Sequence, residues 1–162
     1  MLYTLNDLKT GRLSIMARPR GGDWLEDEMR LLSRLGVTVL VSLLTREEIV
    51  ELDLSQTPHF CHQYAIEYLN LPILDRSVPR SEATTLEFLT NLHQHLLAGS
   101  HIAVHCRMGI GRSALIAASL LVMSGLKTGE AFERLTTARG LTVPDTDEQR
   151  AWVTDFEQRY LP

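Results

Sequence analysis

Cysteine is scarce: only Cys61 and Cys106 occur in 162 residues. Two cannot make a disulfide framework, so a reducing compartment, the cytoplasm, is expected, with room for a reactive thiol. Long apolar runs are missing too. The longest, Ala114 to Met123, spans 10 residues, whereas a membrane helix needs about 20, so no membrane partner is expected. Met1 to Leu8 carries an early acid, Asp7, and no continuous apolar core, so it does not read as a secretory signal. There is no basic excess: the net charge is −4 and the pI about 5.8, which argues against a nucleic-acid partner. No internal repeat or low-complexity segment interrupts the chain. What is present is 44% hydrophobic and 22% charged residues, the balance of one folded domain spanning 1–162. A monomer is expected.

Segment types alternate along the chain. Leu13 to Ala17 is an apolar run closed by Arg18-Pro19-Arg20-Gly21-Gly22. Asp23 reads as the N-cap of a helix carrying Trp24, Leu25, Met29, Leu32 and Leu35, ended by Gly36. Val37 to Leu44 and Ile66 to Ile73 read as interior strands, with a Thr45/Glu48 capping box opening a short helix after the first. Ser81 caps a long helix ending near Gly99, and His101 to Val104 is a third strand of the same buried kind. Ser113 to Met123 is apolar all round, so it should lie against the sheet. Thr128 caps the next helix, stopped by Gly140, and Thr146 with Gln149 boxes the last. The alternation predicts an α/β fold: one three-layer domain with a mainly parallel central sheet of four to five strands flanked by helices. In such sheets ligands gather at the carboxyl ends of the strands, after Ala17, Leu44, Ile73 and Val104.

The loop after the third strand is His105-Cys106-Arg107-Met108-Gly109-Ile110-Gly111-Arg112-Ser113. Its glycines permit a tight turn, and amides from Arg107 through Met108, Gly109, Ile110 and Gly111 to Arg112 can form an anion nest at a helix N-terminus. Arg112 supplies a bidentate fork for two phosphoryl oxygens. Cys106 lies at the base of that cradle, which favours a thiolate as it favours phosphate. Such a thiolate is placed for in-line attack at phosphorus, and Ser113 can donate to the sulfur and ease its departure. His105 is expected to brace the loop rather than touch substrate. A glycine-rich turn with an incidental buried cysteine explains neither the five-residue gap nor Arg112.

His-Cys-x5-Arg-Ser resembles the signature of the cysteine-dependent protein tyrosine phosphatase superfamily. Cys-x-x-Gly-x-Gly-Arg-Ser is similar to its small dual-specificity-like branch. That resemblance implies phosphomonoester hydrolysis through a phosphocysteine, without metal or cofactor, on a phosphorylated protein or a small phosphomonoester. It also implies an aspartate general acid upstream, in a Pro-x-x-Asp-like stretch. Leu71-Pro72-Ile73-Leu74-Asp75 supplies Asp75, 31 residues before Cys106. Leu74 stands where many relatives have proline. Most loop aspartates only cap local amides, but Asp75 follows a strand whose carboxyl end should adjoin the cysteine loop.

Asp145 to Gln149 falls where the superfamily places a glutamine-bearing loop that positions water. Gln149 matches its second polar position, although its capping-box place explains it equally, and Asp145 occupies a position often held by glutamine. Arg18, Arg20 and Arg76 are candidate rim charges for acidic substrates, though surface arginines are usually only solvated. His93 and His95 do not share a helix face, and no Cys/His spacing suits zinc. Cys61 is either a resolving thiol for Cys106 or a small buried hydrophobe. Two further function classes stand beside the phosphatase: a phosphopeptide-binding pseudophosphatase, and a sulfur or arsenate redox enzyme on a similar thiolate loop. Within hydrolysis, an inositol phosphate is the alternative substrate; the neutral Met108 and Ile110 favour phosphoprotein over inositol lipid.

Overall fold

A computed structural model describes residues 1–161. Five strands form one sheet: β1 (Tyr3–Leu5), β2 (Arg12–Met16), β3 (Val39–Ser42), β4 (Glu67–Asn70) and β5 (His101–His105). Their order is β1-β2-β5-β3-β4, with β1 antiparallel to β2 and every other pairing parallel. The expected α/β architecture is therefore present, and β5 lies at its centre. The helices are α1 (Leu25–Arg34), α2 (Arg46–Glu51), α3 (Thr57–Gln63), α4 (Glu82–Leu97), α5 (Arg112–Met123), α6 (Thr128–Arg139) and α7 (Asp147–Tyr160).

Strand alternation sends side chains to two cores. Val39, Val41, Ile102 and Val104 pack with α4, α5, α6 and α7, whereas Leu40 and Ala103 pack with α1 and α3. Every residue of α5 is buried, as its all-round apolar sequence predicts. This helix is clamped between sheet and outer helices, so its N-terminus is a fixed point directly after β5.

Three expectations are corrected. Asp23 caps nothing: Gly22–Trp24 is a 3-10 turn leading into α1, and the extended residue before it is Gly21. A Cβ on Gly21 would lie 2.1 Å from Leu52 O, so this close backbone approach sets where the turn starts. Thr128 is the first helical residue, not the cap; Lys127 is extended, and the Thr128 amide donates to the Glu157 carboxylate of α7. The stretch Ile66 to Ile73 is not interior: β4 is an edge strand with only half-buried central residues. Its apolar end, Leu71 and Ile73, runs on along the extension of β3, with amides donating to Ser42 O and Leu43 O. That path carries the chain over the carboxyl end of β3 toward β5. Finally, β1 and α3 are elements that the sequence pattern does not announce.

The capping boxes at Thr45/Glu48 and Thr146/Gln149 form as expected, and Ser81 caps α4 by accepting from the Thr84 amide. No helix among the described residues is long and apolar enough to cross a membrane.

Candidate active site

The cysteine loop joins β5 to α5, so the anion nest sits at the carboxyl end of the central strand, as the alternation implies. Cys106 is 3% exposed, with its Sγ 3.4 Å from Ser113 Oγ. No described protein group accepts from the amides of Arg107 to Gly111. Gly109 has φ +70, and a Cβ there would lie 2.6 Å from the Met16 carbonyl carbon, so this crest position requires glycine. His105 is buried, and its Nδ1 lies 3.1 Å from Cys106 O. A carbonyl only accepts, so Nδ1 carries the proton. Burial pushes the imidazole down to about 4, against the opposing pull of that hydrogen bond, so the ring is neutral and braces the loop.

Arg112 is buried, yet it is a cation. One nitrogen donates to Glu48 Oε1 (2.7 Å) and Ile73 O (2.8 Å), the other to Glu48 Oε2 (3.0 Å) and Asp75 Oδ1 (3.1 Å). Burial works to raise the Glu48 carboxyl, but hydrogen bonds from Arg112 and from the Thr45 amide prevail and hold it at about 2. Glu48 also accepts from Arg107 Nε at 3.3 Å. The sequence pattern assigns Glu48 only its capping role. The available signal was its place, a carboxylate in the first helical turn after a strand neighbouring β5.

Asp75 is brought to the site even though β3 separates β4 from β5. Its carboxylate is exposed while touching the buried Arg112. Beside it, Arg76 adopts φ +57 and donates to Asp145 Oδ2 at 2.9 Å, spanning the mouth from the Asp75 loop to the α6–α7 loop. Gln149 is fully buried and ties the same loops: its amide nitrogen donates to Ser77 O at 3.1 Å, and its Oε1 accepts from Asp145 and Thr146 amides. A Cβ on Gly111 would meet Gln149 Oε1 at 2.8 Å, so the second loop glycine makes room for this side chain.

These groups enclose a cleft of about 200 Å³ lined by Asp75, Arg76, Cys106, Met108, Ile110, Gly111, Arg112, Asp145 and Gln149. Three larger clefts lie elsewhere: two, of about 670 and 410 Å³, involve the β1–β2 connection at the opposite end of the sheet, and one of about 270 Å³ lies along α7. None of the three contains a cysteine, whereas the cleft of about 200 Å³ brings Cys106, Arg112 and Asp75 together. Arg18 and Arg20 do not line it, and Arg20 pairs with Glu28. Cys61 belongs to the core on the other face of the sheet, its Sγ 3.5 Å from Met29 Sδ, and burial pushes its thiol up to about 12. It is a buried hydrophobe and not a resolving partner for Cys106. Among the described residues no cluster of His, Cys, Asp or Glu could hold a metal.

The fold and site define a phosphatase-type domain. The family model described as "Swiss Army Knife protein, DSP-PTPase phosphatase domain" matches residues 3–152, and the chain belongs to that family. It is 31% identical over 143 residues to protein 197R of Invertebrate iridescent virus 6, named as a tyrosine phosphatase. That match covers 86% of this chain, which spans 50% of the length of the curated relative. The solved structure of Tk-PTP in its active form superposes with a TM-score of 0.76 at 27% identity, covering 92% of this chain and 93% of the other. Kinase associated phosphatase superposes with a TM-score of 0.83 at 22% identity, covering 92% and 87%, a likeness of fold.

Proposed function

We propose that the chain is a protein phosphatase, of tyrosine or dual specificity, hydrolysing phosphomonoesters through a phosphocysteine. The observation that carries this reading is the meeting of Cys106, Arg112 and Asp75 in one cleft beneath unclaimed loop amides. The Cys106 thiolate attacks phosphorus as the ester P–O bond breaks, while the amides and Arg112 hold the other phosphoryl oxygens. Asp75 gives its proton to the leaving oxygen. Water then attacks the phosphocysteine, Asp75 takes a proton from it, and the sulfur leaves as thiolate stabilised by Ser113. Glu48 holds the Arg112 fork in plane, His105 braces the loop, and Gln149 supports the site by fixing the Asp75 loop. The phosphoryl charge is met by Arg112 and the amides, so this mechanism calls for no cofactor.

The rim supports phosphoprotein over inositol phosphate. Arg76 is held by Asp145, and Arg107 by Glu48 and Glu51, which leaves little free cationic surface for additional phosphates. Leu74 and Met108 are exposed beside the cleft, suited to uncharged groups next to one phosphoryl. A monomeric single domain, 1–162, in the reducing cytoplasm fits this chemistry, because Cys106 must stay a thiol.

Steady hydrolysis of an aryl phosphate in the presence of chelator, blocked by vanadate and absent in Cys106→Ser, is the expected result. Phosphopeptide binding without turnover by the unmodified chain would instead make it a binding module.

A further inference from the structure

The crest of the anion loop is held from outside by a residue far from it in sequence. Arg139, the last residue of α6, donates its Nε–H to Gly109 O at 3.0 Å and an Nη2–H to Met108 O at 3.2 Å. Its guanidinium carbon lies 4.2 Å from the centroid of the Tyr3 ring on β1, a stack that fixes the plane of the fork. Arg139 does not line the cleft, whereas Met108, Ile110 and Gly111 do.

Peptide geometry gives this brace a consequence for binding. In a planar trans peptide the C=O and N–H point in opposite directions. The Met108 carbonyl shares its peptide with the Gly109 amide, and the Gly109 carbonyl shares one with the Ile110 amide. Turning both carbonyls outward to Arg139 therefore turns both amides the other way, and neither has a protein acceptor. From below, the Arg18 amide donates to Arg107 O at 3.2 Å, and Gly109 lies against the Met16–Ala17 backbone. The crest is thus gripped on two sides with its donors free.

We infer that Arg139, seated on Tyr3, is a positioning residue that holds the Gly109 and Ile110 amides toward the bound phosphoryl group, an inference that rests on the phosphatase reading of the cleft. Its positive charge beside the loop also favours an anion there. A cation serving only the C-terminus of α6 would be replaced without loss by lysine. A two-pronged brace on two carbonyls would not.

The test is calorimetric binding of orthovanadate to the full chain, with thermal unfolding and aryl phosphate kinetics measured on the same samples. Arg139→Gln should bind orthovanadate about tenfold more weakly, the scale of one to two misdirected hydrogen bonds. KM should rise with it, while kcat and the unfolding midpoint change much less. Arg139→Lys should recover only part of the affinity, and this variant decides the matter if Arg139→Gln does not fold. Wild-type affinity in folded Arg139→Gln, full recovery in Arg139→Lys, or affinity falling only in step with thermal stability would each overturn the inference. Failure of the wild type itself to bind orthovanadate would instead overturn the phosphatase reading.

Discussion

Asp75 and Arg112 touch at 3.1 Å, and that contact frames the chemistry at the scale of single residues. Two guanidinium nitrogens of Arg112 are already committed to Glu48, so the fork keeps its orientation whether or not phosphate is bound. On the proposed mechanism, an entering phosphoryl group would compete with Asp75 for the remaining donors and free its carboxyl for the leaving oxygen. Asp75→Asn cannot donate a proton. It should lose about 10²–10⁴-fold in rate on an alkyl phosphate, the range of general acid catalysis. On an aryl phosphate with a stable leaving anion the loss should be much smaller. The fall in activity at high pH should vanish in the variant while the fall at low pH persists. Near-normal rates on an alkyl phosphate, with both limbs kept, would move the acid to Asp145 or Asp147.

Among elements, the turn from β5 to α5 matters most, and the amino-acid pattern alone makes it legible. A strand end, five intervening residues, an arginine and a helix apolar on every side have one compact solution, because α5 must be buried. Gly109 shows how tight that solution is. Gly109→Ala places a Cβ within 2.7 Å of the Met16–Ala17 backbone at φ +70. Such strain costs roughly 1–3 kcal/mol. Orthovanadate affinity should drop by tenfold or more, and unchanged affinity would show that the loop accommodates the methyl group. Elements whose role depends on distant partners are not legible in this way. Glu48 meets Arg112 across 64 residues, and no local pattern announces that pairing. The apolar run from Ile66 to Ile73 reads as interior because hydrophobicity reports burial and not strand order. Half of it instead covers the end of β3. The three-residue β1 is too short to show a period, although Tyr3 on it supports Arg139.

Across the whole molecule, three buried groups tie stability to pH. Burial holds His105 and His101 at about 4, the latter aided by the charge of Arg12, while Glu48 is held at about 2. In each case the folded value lies below the ordinary one, so the unfolded chain binds more protons as pH falls. Their stabilisation is fully present above 6.5, the ordinary histidine value, and the two histidine contributions are lost as pH falls to about 4. The Glu48 contribution is lost between 4.5 and about 2. Each group contributes a slope of at most about 1.4 kcal/mol per pH unit within its window. Urea unfolding should give constant stability at mildly alkaline pH and a steep decline below 6.5, partly flattened in His101→Asn. A profile level down to pH 4 would contradict the neutral, buried state of both rings.

Rapid-quench kinetics test the phosphocysteine most directly. Mixed with an aryl phosphate, the wild type or Asp75→Asn should release a burst of phenolate equal to the enzyme present. Mass spectrometry of the quenched protein should find one phosphoryl group on Cys106, and Cys106→Ser should show neither burst nor label. Undiminished hydrolysis by Cys106→Ser, or a phosphoryl group on any other residue, would contradict the mechanism.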